Sequence, residues 1–217
     1  MSNPIVKICG LSTLETVKTS LKNGADWIGL VTFEPSPRHV SPKNGKDLAD
    51  FARGRTKIVS LSVNADDAVL DDIMENIEPD IFQFHGTEPP ERVSEIKARF
   101  GTETMKAIGV STSADLAKID PYVDVADYIL LDAKPPKDAT RPGGNGATFD
   151  WSILDDLPDD FKFMLSGGLT VENVGDAVRT VKPFAVDVSS GVESSPGVKD
   201  DDLIMRFIEA AKLLDQA

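Results

Sequence analysis

A cysteine and an aspartate stand at predicted strand ends, where two proton-transfer groups could face each other. Cys9, the only cysteine in the chain, lies at the end of the apolar segment 6–10, and Asp132 directly follows the apolar segment 128–131. A thiolate can accept a proton and a neutral carboxyl group can donate one, so the two could act as general base and general acid. A thiolate needs nearby positive charge, and a neutral carboxyl group needs shielding from water. Lys7, two residues before Cys9 on the same strand face, could supply the charge.

Each of these residues also has an ordinary structural interpretation. A free cysteine on a strand is commonly a small buried hydrophobic residue, and Asp132 could form an ion pair with Lys134. A polar residue at a strand end is often only a turn former or a helix cap. The functional interpretation gains weight because several polar residues follow predicted strands: Cys9, Arg38, His85, Asp132, Asp187 and Ser189.

Strand-like and helix-like segments alternate along the chain. The predicted strands are 6–10, 27–31, 57–63, 81–84, 104–109, 128–131, 161–165 and 185–188. The first predicted helix begins with a capping box at Ser12 and runs to about residue 24. The others cover 42–53, 66–78, 89–100, 112–119, a short stretch from about 149, the segment from Thr170 to 181, and 201–214.

Eight strand–helix units in 217 residues predict an α/β fold, a closed (β/α)₈ TIM barrel that forms one domain over residues 1–217. The strands are short, continuous apolar runs, as expected for a parallel sheet that is buried on both faces. A doubly wound open sheet is the alternative. It fits less well, because no G-x-G-x-x-G follows the first strand.

Small residues follow the seventh and eighth predicted strands: Gly167 and Gly168 after one, and Ser189, Ser190 and Gly191 after the other. Barrels frequently bind phosphate at these two loops. Small side chains leave backbone N–H groups exposed, and such groups beside a helix N-terminus attract anions. These loops could instead be tight turns only, but their presence after both strands predicts a phosphate site.

Composition limits the partners and the location. A net charge of −13 argues against nucleic acid or an anionic membrane as partner, although local donors could still hold a small anion. No run of about eighteen apolar residues predicts a transmembrane helix, and the N-terminus enters a strand with no room for a signal peptide. With one cysteine, a cytoplasmic location is expected. Two histidines and one cysteine are too few for a typical zinc site, so no metal is expected.

Several short motifs occur in a specific order along nearly the whole chain. They are VKICG at 6–10, GAD at 24–26, SPRHVSP at 36–42, FQFHG at 82–86, LLDAK at 130–134, GGNG at 143–146 with FDW at 149–151, LSGGL at 165–169, and VDVSSGVE at 186–193 with PG at 196–197. In this order and at these spacings, the chain resembles the phosphoribosylanthranilate isomerases of tryptophan biosynthesis.

The resemblance implies an Amadori rearrangement of N-(5'-phosphoribosyl)anthranilate to 1-(2-carboxyphenylamino)-1-deoxyribulose 5-phosphate, without metal or organic cofactor. It implies that Asp132 protonates the ribose ring oxygen and that Cys9 removes the proton from C2. Arg38 would bind the anthranilate carboxylate, for which its guanidinium is well shaped. His85 and Asp187 would line the sugar pocket, and the two small-residue loops would hold the phosphate.

Other functions remain open at this point. A related sugar-phosphate isomerase of histidine biosynthesis is expected to carry an aspartate where this chain has Cys9. A metal-dependent epimerase needs converging ligands, and the chain has only His39 and His85. A non-catalytic barrel could bind a phosphorylated metabolite and catalyse nothing. The sequence allows either a monomer or a homodimer.

Overall fold

The structure is a computed structural model that describes residues 3–134 and 149–212. Eight parallel strands form a closed barrel in sequence order, and the first strand pairs with the eighth. The strands are β1 (Ile5–Cys9), β2 (Trp27–Val31), β3 (Lys57–Ser62), β4 (Ile81–Phe84), β5 (Glu103–Val110), β6 (Tyr128–Ala133), β7 (Met164–Leu165) and β8 (Ala185–Val188). The predicted (β/α)₈ barrel is confirmed.

Helices connect the strands on the outside of the barrel. The α-helices in the described ranges are α1 (Leu14–Lys22), α2 (Pro42–Ala52), α3 (Asp67–Asn76), α4 (Pro90–Phe100), α5 (Val174–Val181) and α6 (Asp201–Lys212). Short 3₁₀ helices cover Ser113–Lys118, Asp120–Tyr122, Trp151–Asp156 and Ser190–Val192. No helix in residues 3–134 and 149–212 is long and apolar enough to cross a membrane.

Three predicted helices differ in detail from the structure, two in where they begin and one in its type. Thr13, not Ser12, caps α1, and its side chain accepts a hydrogen bond from the Thr16 amide. The segment predicted as a helix over 112–119 is a 3₁₀ helix, which suits a short element directly before a proline-containing turn. The helix expected to begin at Thr170 begins at Val174. The intervening turn is closed by the Asn173 side chain, which accepts from the Thr170 amide at 2.8 Å.

The strand predicted over 161–165 was also too long, since β7 contains only Met164–Leu165. An antiparallel pair, β9 (Glu193–Ser195) and β10 (Val198–Lys199), was not predicted. It follows β8 and turns at Pro196 and Gly197, a dipeptide that marks turns. Residues 135–148, which form most of the predicted loop after β6 and include the GGNG motif, lie outside the described ranges. The end of the last predicted helix lies outside them as well.

Strand alternation places polar residues inside the mouth of the barrel. The lower interior is filled by apolar side chains, among them Ile81, Leu130, Met164 and Ala185. Side chains two residues apart on a strand point to the same face. The next interior positions toward the carboxyl ends of these strands are therefore polar: Gln83, Asp132, Ser166 and Asp187. On β1, Lys7 and Cys9 occupy the equivalent positions.

Two glycines make close approaches that a larger residue would prevent. Gly29 on β2 pairs with Cys9, and a Cβ there would lie 2.8 Å from the Cys9 sulfur. Gly191 packs against the backbone carbonyl of Leu169, which joins the loops after β7 and β8. A Cβ on Gly191 would overlap that carbonyl oxygen, and no side-chain rotation could relieve the overlap.

We expect Gly191→Ala to lower the free energy of unfolding by about 2 kcal/mol, the range of overpacking in a tight site. Urea denaturation followed by circular dichroism measures the loss. Gly175→Ala in α5 is the matched control, because a Cβ there meets no backbone atom closer than 3.6 Å and alanine favours helix. The proposed packing is wrong if both variants are as stable as the wild type.

Candidate active site

The two candidate proton-transfer residues lie buried at the carboxyl ends of β1 and β6. Cys9 is 3% exposed and Asp132 is 5% exposed. Both point into the barrel, where active sites of this fold are found. Asp132 does not pair with Lys134 in the part of the chain that the structure describes, because the Lys134 ammonium binds Asp115 at 3.0 Å. The ordinary interpretation of Asp132 as a partner of Lys134 is therefore wrong.

Asp132 forms the end of a hydrogen-bonded chain with His85 and Gln83. The Nε2 atom of His85 lies 3.1 Å from Asp132 Oδ2, and the amide nitrogen of Gln83 lies 3.1 Å from His85 Nδ1. With the Gln83 amide donating to Nδ1, the His85 proton is on Nε2 and is donated to Asp132. The other carboxyl oxygen, Oδ1, lies against Gly167. The His85 ring therefore fixes the orientation of the Asp132 carboxyl group.

Cys9 shares the barrel interior with a buried ion pair. The Lys7 ammonium, which is 0% exposed, lies 2.8 Å from Asp187 Oδ1, and the Ser166 hydroxyl donates to Asp187 Oδ2 at 3.2 Å. Burial lowers the pKa of Lys7, but the charges of Asp187 and Cys9 outweigh it and hold that pKa above its ordinary value. Burial raises the pKa of the Cys9 thiol, while Lys7 opposes the rise. Both oxygens of Asp187 thus have partners in the barrel wall.

Arg38 is held by a buried carboxylate that the sequence did not single out. Its Nε and Nη2 atoms donate to Glu193 Oε1 and Oε2 at 2.6 and 2.8 Å. Its aliphatic chain crosses directly over Gly10, where a Cβ would lie 2.6 Å from Arg38 Cδ. Because Glu193 fixes one edge of the guanidinium, Arg38 is rigidly positioned above the end of β1.

Lys199 connects the Arg38–Glu193 ion pair to the loop after β8. Its ammonium donates to Glu193 Oε1 at 2.8 Å and to the Ser189 carbonyl oxygen at 2.8 Å. Burial and the nearby Arg38 lower the pKa of Lys199, and Glu193 opposes them. Burial would raise the pKa of Glu193, but hydrogen bonds and charges from Arg38 and Lys199 hold it below its usual range.

The loops predicted to bind phosphate lie side by side at the barrel mouth. Gly167 and Gly168 both have left-handed backbone angles, with φ of +91° and +62°. Ser190 and Gly191 belong to the 3₁₀ helix that follows β8. The structure thus brings together the residues predicted for both loops, while α5 begins further from the glycine pair than the sequence suggested.

The sequence analysis missed four residues of this mouth: Gln83, Ser166, Glu193 and Lys199. The first two could have been found by counting two residues from apolar interior positions on β4 and β7. Glu193 ends the motif VDVSSGVE but was given no role, and Lys199 carries no local signal apart from the turn that precedes it. Within residues 3–134 and 149–212, no group of three His, Cys, Asp or Glu side chains is arranged to hold a metal ion.

A closed parallel barrel with these side chains at the carboxyl ends of its strands defines a (β/α)₈-barrel enzyme. The family model for N-(5'-phosphoribosyl)anthranilate (PRA) isomerase matches residues 6–210. The N-(5'-phosphoribosyl)anthranilate isomerase of Bradyrhizobium diazoefficiens is 54% identical over 213 residues, which are 98% of this chain and 96% of that protein. The chain belongs to the PRA isomerase family, as its motifs predicted.

Solved structures agree. The phosphoribosyl anthranilate isomerase of Thermotoga maritima has a TM-score of 0.87 and 39% identity, over 99% of this chain and 100% of that chain. Another phosphoribosyl anthranilate isomerase structure, in complex with reduced 1-(o-carboxyphenylamino)-1-deoxyribulose 5-phosphate, has a TM-score of 0.84 and 37% identity, over 99% of this chain and 100% of that one.

We expect Glu193→Gln to destabilise the fold at pH 7 by about 3 kcal/mol, because it leaves two buried cations without their carboxylate. Urea denaturation measures the loss. Because the folded-state pKa of Glu193 is depressed, its stabilisation is present above the unfolded pKa and is lost as pH falls through the folded pKa. The difference between the two proteins should therefore shrink in acid.

The matched control is Asp50→Asn, which breaks an exposed pair with Lys46 on α2. Exposed pairs contribute little, so its denaturation midpoint should stay near that of the wild type. Equal stability of Glu193→Gln and Asp50→Asn at pH 7 would contradict the role of Glu193.

Proposed function

We propose that this chain catalyses the Amadori rearrangement of N-(5'-phosphoribosyl)anthranilate to 1-(2-carboxyphenylamino)-1-deoxyribulose 5-phosphate. The observation that carries the proposal is the burial of Cys9 and Asp132 at the mouth of a barrel of the PRA isomerase family. A related structure holds the reduced form of this product, which supports the same substrate class here.

Asp132 is the proposed general acid. Its neutral carboxyl group gives a proton to the ribose ring oxygen, and the C1–O bond breaks as the anilinic nitrogen forms a C=N bond with C1. Since His85 donates to Oδ2, the transferable proton belongs on Oδ1, the oxygen beside Gly167. The carboxylate that remains keeps the hydrogen bond from His85, which stabilises its new charge.

Cys9 is the proposed general base. Its thiolate removes the proton from C2 of the open-chain iminium ion, and the C2–H electrons form the C1=C2 bond of an enolamine. The enolamine then gains a proton at C1 and loses its hydroxyl proton at C2, which leaves the ketone. A proton passes from the Cys9 thiol back to Asp132 to restore both groups, so the reaction needs no co-reactant.

The remaining residues are proposed to bind the substrate. Arg38 takes the anthranilate carboxylate through its guanidinium, which the ion pair with Glu193 preorganises. His85 and Asp187 line the sugar side of the site. Backbone N–H groups of the adjacent loops bind the phosphate, at Gly167, Gly168, Ser189, Ser190 and Gly191.

The wider setting is also a proposal. We infer one domain over residues 1–217 and a cytoplasmic location, and neither nucleic acid nor a membrane as partner. The last inference rests on the net charge of −13, which repels polyanions. The chain acts as a monomer or a homodimer.

The activity is tested by generating the fluorescent substrate in place from anthranilate and phosphoribosyl pyrophosphate with an anthranilate phosphoribosyltransferase, in the presence of chelator. We expect the wild type to remove the fluorescence faster than spontaneous hydrolysis. Cys9→Ala and Asp132→Asn should each lose about 10²–10⁴-fold in rate, the contribution of one general acid or base.

Asp127→Asn is the control for this assay. It makes the same change just before the start of β6, at the opposite end of the barrel, where Asp127 pairs with Lys97, and should keep the wild-type rate. A folded wild type without turnover rejects the proposed activity. A near wild-type rate for Cys9→Ala or Asp132→Asn removes that residue from the mechanism.

Arg38→Lys tests the carboxylate role while keeping a positive charge near Glu193. Lysine cannot reproduce the paired donors of a guanidinium, so we expect KM to rise about 10-fold, corresponding to one lost charge-assisted hydrogen bond. The rate constant kcat should change less, because Arg38 does not touch the reacting carbon atoms. Steady-state kinetics separate the two parameters, and an unchanged KM would refute the assignment.

A further inference from the structure

We propose that Lys7 is a positioning residue for Cys9, and that its buried ammonium, held by Asp187 and Ser166, determines how much of Cys9 is thiolate. The proposal deepens the proposed function and rests on Cys9 being the base. It gives a role to a fully buried cation that does not itself transfer a proton in the proposed reaction.

Lys7 is the cationic residue of β1, the strand that carries Cys9. Both side chains point into the barrel from β1, two residues apart, which places their Cα atoms about 7 Å from each other. The register of β1 against β8 sets Lys7 directly opposite Asp187. The ammonium therefore contacts the carboxylate of the neighbouring strand, on the face of β1 that also carries the Cys9 thiol.

A buried cation needs a physical reason to remain charged. An unpaired ammonium in such a place would lose its proton, since removing a charge from water is costly. Asp187 supplies the opposite charge at 2.8 Å, and the Ser166 hydroxyl satisfies its second oxygen. This anchoring keeps Lys7 protonated and prevents Asp187 from turning away, so a fixed positive charge faces the thiol.

The charged groups around Cys9 act in different directions. Burial raises the pKa of the thiol, Lys7 is the largest opposing influence, Asp187 raises the pKa further, and Lys199 from β10 lowers it. From β2 the facing residue is Gly29, which carries no charge. Arg38 lies above Gly10, but its charge is offset by Glu193. Lys7 is thus the principal group that favours the thiolate.

The single cysteine allows a direct test that does not depend on turnover. Thiolate formation in the intact protein is followed by ultraviolet absorbance against pH, with the Cys9→Ala protein subtracted to remove the signal of the two tyrosines. We expect Lys7→Met to raise the titration midpoint by about one pH unit, which is a tenfold loss of thiolate below the midpoint. Asp187→Asn should shift the midpoint downward, because it removes a negative charge that faces the sulfur and leaves the Cys9 thiolate as the counter-charge that keeps Lys7 protonated.

Lys7→Met leaves a buried carboxylate unpaired and could fail to fold. The double variant Lys7→Met with Asp187→Asn restores charge balance, and it should titrate about one unit above Asp187→Asn alone. Lys106→Met is the matched control, since Lys106 is also a buried lysine 2.8 Å from a carboxylate, Glu88, but lies on the helix-facing side of β5. Its midpoint should equal that of the wild type.

The proposal is overturned if the Lys7 substitution leaves the midpoint unchanged in both backgrounds, or if Lys106→Met moves it equally. The isomerase assay separates this from failure of the proposed function. A wild type without turnover, whose midpoint still responds to Lys7, would keep the electrostatic role and reject only the role of Cys9 as base. A wild type that turns over substrate, but whose midpoint does not respond to Lys7, would keep Cys9 as the base and reject the electrostatic role of Lys7.

Discussion

The pairing of β1 with β8 is the constraint on which the site depends. Backbone hydrogen bonds set Lys7 opposite Asp187, residues that are 180 positions apart in sequence. The same pairing brings the end of β1, with Cys9, beside the loop that contains Ser189. A one-residue slip of this register would turn the polar side chains of one strand toward the outer helices, where they would have no partners. The pairing that closes the barrel therefore also assembles the site.

The distribution of charge inside the mouth differs from that of the whole chain. The protein is strongly acidic, yet the mouth contains three cations with enclosed side chains, Lys7, Arg38 and Lys199. Each is held by a carboxylate from another part of the barrel, and Glu193 serves two of them. Such local cations can attract a phosphorylated carboxylic acid in spite of the overall negative charge, because low dielectric surroundings strengthen short-range interactions. The net charge is informative about large polyanionic partners and says little about a small ligand.

The errors in the sequence analysis have two causes. Ser12 and Thr170 are both good cap residues, and local chemistry alone cannot decide which of two neighbouring polar residues begins a helix. At α5, the Asn173 side chain closes a turn back to Thr170, which delays the helix. The segment before β7 was predicted as strand because it is aromatic and apolar, but it has no ladder partner until Met164. Pairing between distant segments decided this strand boundary, whereas local hydrogen bonds decided the helix starts.

The sequence by itself determined the alternation of strands and helices, and hence the barrel. Any fold of this chain must bury its apolar residues, and the spacing at which they recur therefore indicates strands or helices. It also determined the polar residues at strand ends and the motifs of the family. Only the tertiary structure decided that Glu193 holds Arg38, that His85 orients Asp132, and that Lys7 pairs with Asp187 beside Cys9. These contacts join residues far apart in the chain, and their distances follow from barrel closure and strand register, which no local pattern encodes.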